Sequence, residues 1–235
     1  MIKTPAAAIL AIGVVCSAQT LYGQDGSRYR DFQLGGTLSS VAKLANVTAS
    51  DAKTIHARPA LMQELEWRPP YVVSSSTAMR DPVKQILFSF YDDQLTQMVV
   101  DYDHDRTFGM TNADMIDAIS TTYGAPLKQV TTPVPLAASR AARESGTPIA
   151  RWGDTEHAVV LYRSASLYGM STSQFRLVVT SPRLAALAGT ADQRAVQMDE
   201  REAPQREIAR QKQEADDSRQ AEEKARTANK AAFRP

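Results

Sequence analysis

The stretch from Val83 to Tyr102 constrains the fold more than any other part of the chain. Ile86, Phe88 and Phe90 recur at every second position, and apolar residues resume after Asp92-Asp93 with Leu95, Met98, Val99 and Val100. That spacing predicts two strands joined by a two-residue turn, with one face turned to a core. Such a turn needs backbone that accepts positive φ, and Asp accepts it, though less readily than Asn-Gly or Asp-Gly. The hairpin is therefore expected at the centre of an antiparallel sheet.

Elements on either side extend this reading. Residues 29–34 alternate, with Phe32 and Leu34 on one face, and predict a short strand that Gly35-Gly36 ends. Thr37 then caps a helix with Leu38, Val41 and Leu44 as its stripe and Asn46 as its stop. A further helical turn is expected from Thr48 or Ser50 through Lys53, closing before Arg58-Pro59. Residues 61–67 read as a strand with Leu61, Leu65 and Trp67 inward, a helix being the competing reading. Pro69-Pro70 and Ser74-Ser75-Ser76 make a loop. Thr111 and Asp114 form a capping box before a helix whose stripe is Met115, Ile116, Ile119 and Tyr123, stopped by Gly124. The proline-rich segment 125–148 is a linker, and 149–152, 158–162 and 174–180 predict a meander of strands.

The expected class is α+β: an antiparallel sheet of about six or seven strands with short helices packed on one face. Its domain runs over residues 30–188. Strand, helix and three strands are followed by helix and three strands again, with possible halves 30–124 and 149–188 joined by the proline-rich linker, while residue identity between the halves is poor, so duplication and coincidence both stand.

Lys3, the apolar run 6–15 and the small residues Ser17 and Ala18 have the layout of a secretory signal peptide over residues 1–18, followed by a linker over 19–29. The run is shorter than the roughly 20 apolar residues of a spanning helix, so no transmembrane helix is expected in the mature chain. Cys16 is the only cysteine. It follows branched Val15 where a lipoprotein signal has a small residue, so removal with the signal is expected in place of lipid anchoring. The formal charge of +1 gives no field that would favour nucleic acid. The expected location is periplasmic or secreted.

Leu34-Gly35-Gly36-Thr37 followed by Val41, behind a signal peptide, resembles the opening of small bacterial envelope proteins of the SmpA/OmlA class. The resemblance covers the first quarter of the chain and implies a helical pair ahead of an antiparallel sheet; separately, an envelope protein of unknown identity is the expected partner. In layout alone, the doubled order resembles the tandem α+β units of secreted β-lactamase inhibitors. Neither resemblance transfers a site residue.

From residue 189 onward acids and bases almost balance, and Val196, Met198, Ile208 and Phe233 are the only large apolar side chains. This predicts a charged tail, disordered or a solvated helix, over 189–235. Catalytic and cofactor-binding residues are not expected. The chemically suggestive stretch is Asp101, Asp103, His104 and Asp105: alternate acids resemble the start of a calcium loop, but Arg106 stands where that loop needs glycine and Asn112 where it needs glutamate. The competing expectation is a secreted hydrolase or metal-dependent enzyme using this segment. Trp67, Tyr71 and Trp152 are candidate interaction anchors, with Tyr162 beside them, because large amphipathic rings dominate contact surfaces when they are not core. The leading expectation is an exported, noncatalytic binding or assembly module.

Overall fold

The computed structural model describes residues 25–70, 81–127, 146–164, 174–232 and 234. The signal segment, Tyr71, the serine loop and most of the proline-rich segment lie outside the described residues. In chain order the elements are β1 (Arg28–Tyr29), β2 (Phe32–Gln33), α1 (Leu38–Ala45), a 3-10 turn (Ala49–Asp51), β3 (Lys53–His56), β4 (Met62–Trp67), β5 (Val83–Tyr91) and β6 (Gln94–Tyr102). They continue with α2 (His104–Thr107), α3 (Asn112–Tyr123), β7 (Thr147–Gly153), β8 (Ala158–Ser164), β9 (Gln174–Thr180) and α4 (Pro182–Ala232). The class is α+β: β1 and β2 form a small ribbon, and the other seven strands form one antiparallel sheet in the order β3-β4-β5-β6-β9-β8-β7.

The hairpin of β5 and β6 sits at the centre of this sheet, with Ile86 opposite Val100, Phe88 opposite Met98 and Phe90 opposite Leu95. Asp92 and Asp93 both adopt positive φ, 45° and 62°, as a two-residue turn between twisted strands requires. Their carboxylates explain why two acids stand there. Asp92 Oδ1 accepts the N–H of Leu61 at 3.0 Å, and Asp93 Oδ1 accepts the N–H of Leu38 at 2.9 Å. The hairpin tip thereby holds both the entry to β4 and the start of α1.

An approximate two-fold relation runs between β6 and β9. Val99 faces Val178 at its centre; outward lie Leu87 and Glu66 on one side and Val160 and Arg151 on the other. The same register places Trp67 opposite Ile86 and Trp152 opposite Val159, so the two tryptophans occupy equivalent positions. Thr37 and Thr111 cap the helix ahead of each meander through the N–H groups of Ser40 and Asp114. The doubled order is thus a property of the sheet.

One face of the sheet carries Leu65, Ile86, Phe88, Met98, Val100, Leu161, Leu177 and Val179, which form one core with Val41, Ala42 and Ala45 of α1 and Met115, Ile119 and Tyr123 of α3. The opposite face carries Val99, Val160, Tyr162 and Val178. On that side Met62 and Tyr91 meet Ala188 and Ala191 of α4, so the long helix leaves the face that α1 and α3 share.

Several local expectations change. Residues 29–34 make a tight ribbon in place of one strand, because Arg30 adopts positive φ. Beyond Thr48 only a 3-10 turn forms before β3, an edge strand whose short polar sequence carries no apolar alternation. Met62 is buried and Leu61 exposed, the reverse of the expected facing, because α4 covers the second side of β4. Helix α4 runs through Gly189 without a break. Ala191 and Ala195 are buried beyond it, and His56–Asp192 (3.2 Å) and Arg58–Glu202 (2.6 Å) bind the helix to the segment around β3. The folded unit therefore extends past residue 188. From Ala203 to Ala232 the helix is exposed, apart from half-buried Asp216.

Candidate functional site: an apolar cleft between the third helix and the sheet

The sequence-derived candidates do not assemble into a site. Asp101 lies on the sheet face opposite α3, where Arg176 from β9 holds it with Nε–Oδ1 at 2.5 Å and Nη2–Oδ2 at 3.1 Å, and Gln85 donates to Oδ2 at 2.9 Å. Asp103 caps α2, accepting the N–H groups of Asp105 and Arg106 at 2.9 and 3.2 Å. Asp105 is exposed, and the His104 ring rests edge-on to Phe108 at 5.8 Å. Among the described residues no three His, Cys, Asp or Glu side chains gather where they could hold a metal ion. The alternation of acids came from a strand end followed by a helix cap, two different local jobs.

The tryptophans also separate. Trp152 is 1% exposed and donates Nε1–H to the carbonyl of Gly124 at 2.8 Å, which fixes the end of α3 on the sheet. It is a core residue and presents no surface anchor, a correction that follows from its position beneath α3. Trp67 is half-buried, edge-on to Phe32 at 6.4 Å. Tyr162 is buried on the opposite face, and burial pushes its phenol up to about 12.

The structure instead brings together residues that no motif joins. A cleft of about 430 Å³ opens between α3, the end of β6 and the β1–β2 ribbon. Its walls are Pro82, Met110, Met115, Ala118, Ile119 and Leu177, with Tyr29, Tyr102 and Tyr123 at one side and Arg30 and Arg106 among the lining. The volume falls in the roughly 300–1,000 Å³ range of small-molecule pockets, which are also mostly apolar with a few placed polar groups.

Two of the polar members, Arg30 and Tyr123, are held from behind. Arg30, at the turn of the ribbon, donates from Nη1 and Nη2 to Asp81 at 2.7 and 2.6 Å, and its guanidinium lies 5.5 Å from the Tyr29 ring centre. This pair raises the Arg30 pKa further and ties the ribbon to the entry of β5. Burial pushes the Asp81 carboxyl up, but Arg30 and the N–H of Val83 outweigh it, so its pKa is lowered. Tyr123 donates its hydroxyl to the carbonyl of Arg28 at 2.6 Å. Burial is the first cause that raises the pKa of Tyr29, Tyr102 and Tyr123, and the Tyr29 and Tyr102 hydroxyls lie close enough to influence each other's ionisation. All three hydroxyls stay protonated at neutral pH, and that of Tyr123 is committed to the Arg28 carbonyl. The cleft can bind; its lining contains no nucleophile paired with a base.

A second cavity of about 390 Å³ adjoins the first through Thr107 and Met110, with His104, Arg163 and Phe175 in its lining. Phe108, 79% exposed, stands at its edge. Sequence reasoning counted Met115, Ile119 and Tyr123 as a helix stripe and missed the cleft, because the space depends on how far α3 stands from β6. A tyrosine at the end of three separate elements was the available signal. Compared with known proteins, the chain matches no family model, no curated protein and no solved structure.

Proposed function

We propose that the chain is an exported bacterial envelope protein, periplasmic or secreted once residues 1–18 are removed, and that it acts as a noncatalytic binding module. The cleft beside α3 receives an apolar group of an envelope partner, while the outer part of α4 stands clear of the sheet. The observation that carries this reading is a pocket with apolar walls in which two polar members are fixed by a second residue, Arg30 by Asp81 and Tyr123 by the Arg28 carbonyl. A site built in advance loses little entropy on binding.

Fluorescence of phenylnaphthylamine, a neutral dye that brightens in apolar surroundings, tests the reading on the full mature chain. The dye is expected to bind, and Ala118→Trp, placed at an exposed position of the lining, is expected to abolish its signal without lowering the melting temperature. Equal dye binding by the two proteins would remove the cleft as the binding surface.

A further inference from the structure

The charges beside the cleft are already satisfied within the protein. Both Asp81 carboxylate oxygens accept from the Arg30 guanidinium, at 2.7 and 2.6 Å, and Arg106 is engaged as well. Tyr29, Tyr102 and Tyr123 keep neutral hydroxyls, and the lining contains no Asp, Glu or His. A charged group entering here would give up its hydration without meeting a free counter-ion. The cleft therefore suits an uncharged occupant.

The kind of apolar surface narrows the class. Tyr29, Tyr102, Tyr123, Met110 and Met115 give the lining three phenol rings and two thioethers. Rings attract one another edge to face, and thioether sulfur attracts a ring, beyond what buried area alone supplies; an alkyl chain draws neither contribution. A cleft of about 430 Å³ has room for about fourteen water-sized groups at roughly 30 Å³ each, enough for one benzyl or indole side chain. Phe108 is a separate observation: it is 79% exposed and lines the adjoining cavity, which shares Thr107 and Met110 with the cleft and carries the polar His104 and Thr111. A bare phenyl ring next to an apolar mouth, with polar groups beside it, has the composition of a protein contact surface. Resting on the reading of the cleft as the binding site, we infer that its occupant is one aromatic side chain, phenylalanine or tryptophan, presented by a peptide segment of the partner whose neighbouring residues lie over Phe108.

Displacement of phenylnaphthylamine from the full mature chain tests the occupant. The blocked peptide acetyl-Gly-Ser-Phe-Ser-Gly-amide is expected to displace the dye at a concentration about fivefold lower than its cyclohexylalanine counterpart, although the cyclohexyl ring is the more hydrophobic. Met110→Leu combined with Met115→Leu keeps the apolar volume and should cut that ratio to about twofold. Phe108→Ala, an exposed change, should weaken the phenylalanine peptide about fivefold and spare N-acetylphenylalanine amide, which lacks the flanking residues. N-acetylphenylalanine, an anion, and phenylalanine amide, a cation, should each need a higher concentration than the neutral N-acetylphenylalanine amide. Either charged compound displacing the dye more readily than the neutral one would overturn the uncharged occupant. A cyclohexylalanine peptide as good as the phenylalanine peptide would overturn the aromatic side chain while leaving the cleft as an apolar site. A phenylalanine peptide unaffected by Phe108→Ala would overturn the partner segment over that ring. A dye that never binds would count against the cleft itself.

Discussion

Asp93 accepts the backbone N–H of Leu38 at 2.9 Å across 55 positions of sequence, so the tip of the central hairpin supplies an acceptor for the first turn of α1. Free N–H groups at a helix start need such a partner, and a carboxylate there also meets the positive end of the helix dipole. Asp93 does this from a left-handed backbone, φ 62°. Asp93→Ala removes the acceptor and puts a methyl side chain on a strained turn. The expected cost is about 2 kcal/mol, while Asp93→Asn, which keeps an acceptor and tolerates the conformation, costs less than half of that. Urea unfolding of the two variants checks the order, and an equal loss for both would contradict it.

The pair of Asp101 with Arg176 assigns the acidic segment a structural role. Asp101→Ala leaves a half-buried guanidinium without its cross-strand carboxylate and is expected to cost about 1–3 kcal/mol, discounted from a fully buried pair because the Arg176 side chain is 21% exposed. Calcium or zinc at millimolar concentration is expected to leave the melting temperature of the parent chain unchanged, since Asp101 is engaged by arginine and Asp103 by helix N–H groups. A rise on adding metal that disappears in Asp101→Ala would revive a metal site.

Truncations of α4 separate its packed part from its exposed arm. Ending the chain after Ala203 removes exposed helix and is expected to preserve a cooperative melt at nearly the same temperature. Ending it after Gly189 removes buried Ala191 and Ala195 and the contacts of Asp192 with His56 and of Glu202 with Arg58. That shorter chain should melt about 5 °C lower or more. Identical melts would return the boundary to residue 188.

High pH addresses the tyrosines at the cleft. Tyr29, Tyr102 and Tyr123 all have pKa values raised above the ordinary 10, first by burial. The unfolded chain therefore releases these protons before the folded chain does. Stability from this source is complete below pH 10 and declines as the pH climbs above it toward the folded values. Thermal melts followed by circular dichroism should fall in this window, with phenolate absorbance appearing together with unfolding. Tyr123→Phe should lessen the fall, at a cost at neutral pH of about 1 kcal/mol for the bond to Arg28. Phenolate absorbance from all the tyrosines at the ordinary value, with no loss of melting temperature, would contradict the buried cluster.

The sequence made the central hairpin and α3 legible because period-two alternation, a turn and a capping box with its glycine stop are local signals. The doubled order was legible as well, although the equivalence of Trp67 and Trp152 required the strand register. Edge strand β3 and the four-residue α2 escaped because neither has an apolar period. The composition change at Gly189 suggests a domain edge there, yet the buried contact of Ala188 and Ala191 with Met62 carries the helix through it. The cleft was the least legible feature. Its residues come from β1, β6, α2, α3 and β9, and only tertiary packing sets Arg30 beside Tyr123.

Methionine methyl spectra of the full mature chain during a phenylnaphthylamine titration test the cleft most directly. Met110 and Met115 line it, whereas Met62 and Met98 are buried elsewhere and Met198 lies on α4. Saturable shifts of the Met110 and Met115 signals, with Met62, Met98 and Met198 unmoved, are the result that binding in the cleft predicts. Shifts of Met62 or Met198 while Met110 and Met115 stay still would contradict it.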